Sequence, residues 1–159
     1  MSSDLRDLYQ DVILDHGKKP RNARVIEGAT FVQPAYNPLC GDKGTLYLSL
    51  DPSSGRINDA AYVGQGCSIS TASASIMTDF VRGKSREETL KSFHLFHNMI
   101  TAAPDEAFHR AVPELGKLSV FSGVAEFPAR VKCATLAWHA LKTALTEAQT
   151  VAPKPVSTE

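Results

Sequence analysis

Two hydrophobic periods alternate along this chain and divide it into elements. Leu5, Leu8, Tyr9, Val12 and Ile13 recur every three or four positions, which predicts an amphipathic helix over residues 4–16, capped by Ser3 and stopped at Gly17. The period then drops to two. Leu46, Leu48 and Leu50 alternate with polar residues, the turn-forming run Asp51-Pro52-Ser53-Ser54-Gly55 follows, and a second extended stretch covers 57–63; together these predict a β-hairpin. Residues 29–32 are expected to add a third antiparallel strand. Beyond Gly66 the pattern becomes helical again, first as an alanine- and serine-rich segment over 68–82 that ends at Gly83. Ser85 and Glu88 form a capping box ahead of Leu90, Phe93, His97 and Ile100 at helical spacing. Residues 102–127 are broken by Pro104, Pro113, Gly116 and Gly123 into loops and short helical turns. Pro128 opens a last helix with Ala134, Trp138, Leu141 and Leu145 as its apolar stripe.

Strands followed by helices predict an α+β fold: a small three-stranded antiparallel sheet packed against several helices. The 159 residues suit a single domain over 1–150, and 151–159, with two prolines and small polar residues, reads as a disordered tail. Lysine plus arginine balances aspartate plus glutamate at 17 each, so no net field favours nucleic acid or an anionic membrane as partner. Neither a secretory leader nor a membrane-length apolar run is visible, and the expected compartment is the cytoplasm.

Candidate chemistry centres on the three cysteines. Three thiols cannot all pair within one chain, and their spacing does not suit a compact disulfide framework. Cys40 precedes the hairpin in Asn37-Pro38-Leu39-Cys40-Gly41-Asp42, Cys67 follows it in Gly64-Gln65-Gly66-Cys67-Ser68-Ile69-Ser70, and Cys133 lies in the first turns of the last helix. An antiparallel hairpin brings Cys40 and Cys67 together, leaving Cys133 to tertiary packing. A zinc site takes four ligands, and the nearest carboxylate is Asp42. Among soft sulfur ligands a carboxylate is the one most readily displaced, so such a site would resemble a labile centre more than a closed structural one. Arg130 and Lys132 would offset the negative charge of three thiolates and a carboxylate.

At these motifs the chain resembles the U-type iron–sulfur cluster assembly proteins, the family of SufU, IscU and the N-terminal part of NifU. The matching pieces are Leu8-Tyr9 with Asp15-His16, the two hairpin motifs extended to Ser73, and Phe127-Pro128-Ala129-Arg130-Val131-Lys132-Cys133-Ala134-Thr135-Leu136-Ala137-Trp138. Lys132 stands where the IscU branch has a histidine before its third cysteine, and Phe127-Pro128-Ala129-Arg130-Val131-Lys132 replaces the Leu-Pro-Pro-Val-Lys chaperone motif; the resemblance also implies that the stretch from Gly83 to Phe127 contains the insertion that marks the SufU branch. A protonated lysine cannot ligate a metal. The resemblance therefore favours the SufU branch. It implies zinc held by Cys40, Asp42, Cys67 and Cys133, persulfide sulfur accepted at Cys40 from a SufS-like cysteine desulfurase, and onward relay to downstream iron–sulfur assembly proteins. That is a zinc-dependent sulfurtransferase rather than a small-molecule enzyme. Arg130 is a candidate for stabilising the persulfide anion.

Two rivals remain at this level: a scaffold on which iron or a [2Fe–2S] cluster is held by the same ligands, and a non-catalytic zinc-stabilised interaction module. His94 and His97 are spaced to chelate a metal but lack a partnering motif. His16 and His139 are expected as cap or surface residues. The serines of 68–75 read as capping and close packing, and Phe93, Phe96 and Trp138 as core.

Overall fold

The computed structural model describes residues 3–38, 41–101, 113–146 and 156–157. Cys40 and the stretch 102–112 therefore lie outside the described residues, as does the tail apart from Val156 and Ser157.

The first helix, α1, spans Ser3–Lys18. Three antiparallel strands follow, β1 (Phe31–Tyr36), β2 (Lys43–Leu50) and β3 (Ile57–Gln65), as the alternation predicts. β1 runs further than residues 29–32. It continues through Pro34 to Tyr36 because β1 has its antiparallel partner on one side only, and a strand near an edge tolerates the missing proline N–H. Val156–Ser157 form a short β4 parallel to β1, opposite Ala35 and Tyr36, giving the order β3-β2-β1-β4.

Helices cover one face of this sheet. α2 (Ser68–Phe80) packs against β3 and α1, α3 (Arg86–Ile100) begins at the Ser85–Glu88 capping box, and α4 (Pro128–Thr146) crosses β1. The glycine- and proline-broken stretch before α4 is a run of 3₁₀ turns, Pro113–Glu126, interrupted at Gly116. Its Leu115, Leu118 and Phe121 are fully buried, so the apolar residues there close the core even without α-helical periodicity.

Leu46, Leu48, Ile57 and Ala60 on the inner face of the sheet meet Met77, Phe96, Leu136, Trp138 and Leu141. Trp138 stacks on Phe96 at 4.6 Å and 13°. Its Nε1–H donates to Ser73 Oγ at 3.2 Å, and that hydroxyl donates to the Ala134 carbonyl at 2.6 Å. Burying the indole and the α2 serine is tolerable because each polar atom finds the other. This clasp fixes α2 against α4. No helix among the described residues is long and apolar enough to cross a membrane.

Two histidines depart from the sequence expectation. His16 is buried rather than at the surface: the end of α1 approaches α2 so closely at Gly17 that an added Cβ would lie 3.1 Å from Ser68 Cβ. His16 Nδ1 shares a 2.7 Å hydrogen bond with Ser75 Oγ, which also accepts from the Arg21 N–H. Burial, followed by the charges of Arg21 and Lys117, lowers its pKa. His139 is half-buried with its ring edge-on to Phe93, and burial likewise lowers its pKa. The His94 and His97 rings pack against Phe93 as well, at 5.4 and 5.8 Å. Among the described residues they join no group of three metal-ligating side chains.

Candidate metal centre

The hairpin register creates the centre. Lys43 pairs with Gln65 as the last rung of β2 and β3, so Asp42 and Gly66-Cys67 emerge side by side at one end of the sheet. The loop before β2 is closed by its backbone: the Gly41 N–H donates to the Asn37 carbonyl and the Asn37 N–H to the Asp42 carbonyl, both at 2.8 Å. Gly41 supplies the left-handed turn residue at φ 74°. Asp42 is thereby held in a buried position, with 3% of its surface exposed. Its Oδ1 accepts from the Cys67 N–H at 3.0 Å, and its Oδ2 lies 3.7 Å from Cys67 Sγ.

Cys67 is the N-cap of α2, with extended backbone (φ −71°, ψ 167°), and its Sγ accepts from the Ser70 N–H at 3.5 Å. A sulfur at this position faces the positive end of the helix. The third sulfur comes from α4. Cys133 is buried in the second turn, its thiol donating to the Ala129 carbonyl at 3.7 Å. The Ser73–Ala134 bond sets α4 at the height that brings Cys133 to Cys67.

Asp42, Cys67 and Cys133 each offer a ligand atom, and these atoms lie within 4.8 Å of one another. Ligands of a tetrahedral zinc at the usual bond lengths sit about 3.5–3.8 Å apart. The Cys67–Asp42 separation of 3.7 Å already matches, and the remaining contraction is about 1 Å or less. Two sulfurs and one carboxylate are a donor set that fits zinc. The fourth expected ligand, Cys40, lies outside the described residues but only two positions before Asp42. Arg130 sits in the exposed first turn of α4, three residues before Cys133, and makes no ion pair with Asp42 or any other carboxylate among the described residues.

Gly66 is part of the centre for a steric reason that its sequence motif only hints at. A Cβ built there would stand 2.5 Å from Asp42 Oδ1 and 2.7 Å from its Cγ. Gly66→Ala must therefore push the carboxylate away, and zinc affinity is expected to fall by about 10–100-fold, measurable by chelator competition. An unchanged affinity would show that the carboxylate position is immaterial.

Residues 8–134 match the family model described as the NifU-like N-terminal domain. The chain belongs to this family. Its relatives include the iron–sulfur cluster assembly scaffold protein IscU of Streptococcus pyogenes serotype M1, 44% identical over 90% of this chain and 86% of the relative. The zinc-dependent sulfurtransferase SufU of Bacillus subtilis strain 168 is 41% identical over 89% of this chain and 91% of its own length. A crystal structure of a candidate SUF-system iron–sulfur cluster assembly scaffold protein from Fervidobacterium islandicum AW-1 superposes with a TM-score of 0.76 and 34% identity, covering 91% of this chain and all of that one. This NifU-like domain thus has relatives bearing both a scaffold and a sulfurtransferase name, and it shares their fold.

Sequence reasoning found every member of the Asp42–Cys67–Cys133 group. It did not find the roles of Gly66 or Ser73. Glycine and serine are common at turns and caps, and only three-dimensional proximity distinguishes these from the rest.

Proposed function

We propose that this NifU-like domain is a zinc-dependent sulfurtransferase that accepts persulfide sulfur at Cys40 from a cysteine desulfurase and relays it to iron–sulfur cluster biogenesis. The observation that carries this reading is the convergence of Asp42, Cys67 and Cys133 at one end of the sheet, with Cys40 two positions before Asp42 in the sequence. Zinc, when bound, would hold its cysteine ligands as thiolates while keeping them unreactive. Asp42 is the hard ligand in that set and the one a partner's side chain would replace. The chain's own groups then do the rest. A Cys40 thiolate attacks the terminal sulfur of the donor persulfide; the new S–S bond forms on Cys40 as the old one breaks, and the donor's cysteine departs as thiolate, with no net oxidation. Arg130, exposed and without a carboxylate partner among the described residues, is placed one helical turn from Cys133 to draw the anionic donor in.

A second reading, a scaffold on which a [2Fe–2S] cluster is assembled as cargo, is favoured by one observation: the same sulfur-rich ligand group would serve iron as well as zinc. Purification without oxygen, followed by metal and acid-labile sulfide analysis and a desulfurase assay, separates the two. About one zinc per chain, no sulfide and strong stimulation of desulfurase turnover are expected. Iron with sulfide and little stimulation would overturn the sulfurtransferase reading in favour of the scaffold.

A further inference from the structure

Tyr62 carries a buried hydroxyl without a hydrogen-bond partner, and it is the only such side-chain polar atom among the described residues. An orphan of this kind costs stability and calls for an explanation. Its surroundings supply one. Tyr62 pairs with Leu46 across the hairpin, and the next rung on the same face is Gly44 opposite Gly64. Neither glycine has a side chain, and the tyrosine ring fills the slot they leave: a Cβ at Gly44 would lie 2.4 Å from the Tyr62 oxygen, and one at Gly64 would lie 3.0 Å from Cε1. The ring therefore leans along the sheet towards the metal end, with its oxygen over Gly44.

One pleat further along the same face stand Asp42 and Gly66, in contact through the carboxylate. Side chains two residues apart on one strand face are about 7 Å apart, and because the Tyr62 oxygen already stands over Gly44, that spacing is what separates it from Asp42, a gap the aspartate side chain shortens by reaching back along the strand. Asp42 Oδ1 accepts from the Cys67 N–H and Oδ2 from the Cys67 thiol, and the second of these donors would be lost with Cys67 as a metal-bound thiolate. When Oδ2 gives up its ligand position, a buried anion is left with a single backbone donor. Burial, and then the charge of Asp42, raise the Tyr62 pKa.

We propose that Tyr62 is a positioning residue for Asp42, its hydroxyl donating to the carboxylate released from the metal and so stabilising the open form of the site. This rests on Asp42 being a displaceable ligand, as the proposed function has it. The glycine pair is then part of the device, since any side chain at Gly44 would evict the ring from its slot.

The test compares zinc release to a colorimetric chelator from zinc-loaded wild-type protein, Tyr62→Phe, Asp42→Ala and the double variant. Phenylalanine keeps the ring in its slot, so fold and zinc stoichiometry are expected to persist. Release is expected to slow about tenfold in Tyr62→Phe, the loss of one hydrogen bond to a charged group in the open form. In the Asp42→Ala background the same change should alter release less than about twofold, because its acceptor is gone. Equal or faster release in Tyr62→Phe would overturn the proposal and assign the hydroxyl to a water in the small cavity between Tyr62 and α2. An effect of equal size in both backgrounds would make it a packing effect and overturn it too. Asp42→Ala with unaltered zinc release would overturn the inference together with the carboxylate part of the proposed function, whereas an altered Asp42→Ala with an unaffected Tyr62→Phe removes Tyr62 alone.

Discussion

Cys40→Ala is expected to lower sulfur acceptance from a cysteine desulfurase by at least about two orders of magnitude, the scale on which removing an attacking nucleophile acts. Under the proposed function, the physical basis is a division of labour among the three cysteines. Cys67 is committed to the first turn of α2, where its sulfur accepts from the Ser70 N–H. Cys133 is buried within α4. Cys40 instead belongs to the short loop whose ends are tied by Asn37, Gly41 and Asp42, next to the ligand most easily displaced. Loss of acceptance with the fold intact is the expected pair of results, read by intact-mass detection of the added sulfur and by circular dichroism. Sulfur loading that persists in Cys40→Ala at the wild-type rate would move the acceptor role to Cys67 or Cys133.

The largest effect on stability is expected from Trp138→Ala, about 3–5 kcal/mol. Trp138 is completely buried, stacks on Phe96 and donates to Ser73. Truncation removes the indole volume and takes one donor from a serine that joins α2 to α4. For a chain of this size the midpoint of thermal unfolding should drop by roughly 6–20 °C. Zinc affinity should fall as well, because the same clasp sets Cys133 beside Cys67. Trp138→Phe keeps most of the volume and is expected to cost less. A loss below about 1 kcal/mol in Trp138→Ala would mean that the α2–α4 contact is held elsewhere.

Both expectations show where the sequence was legible. Alternating Leu46, Leu48 and Leu50 with a turn at 51–55 specified the hairpin, since one buried face forces period two and one register. The capping box at Ser85 and Glu88 specified the start of α3, and both of its hydrogen bonds are present. The hairpin predicted that Cys40 meets Cys67, because antiparallel pairing brings the outer ends of two strands together whatever surrounds them; Cys40 lies outside the described residues, and Asp42, two positions on, does meet Cys67.

Other features had no local signal. His16 looked like an end-of-helix residue and is buried, because the fate of a helix terminus depends on what packs against it; here Gly17 admits α2 and Ser75 satisfies the ring. The 3₁₀ turns of 113–126 carry Leu115, Leu118 and Phe121 into the core at the three-residue repeat of that helix, a period that the surrounding proline and glycine breaks hide.

What the sequence determined by itself was the inventory and its local placement: an α+β order of elements, Asp42 and Cys67 at the ends of the hairpin, Cys133 early in the last helix, and motifs specific enough to place the chain in its family. These depend on periodicity, capping and turn chemistry, which act over a few residues. Only the tertiary structure decided that Cys133 joins the pair made by the hairpin, that Gly66 leaves room for the Asp42 carboxylate, and that Gly44 and Gly64 open a slot for Tyr62. Those outcomes depend on which helix packs on which strand and at what distance, a matter of side-chain volumes meeting across the core.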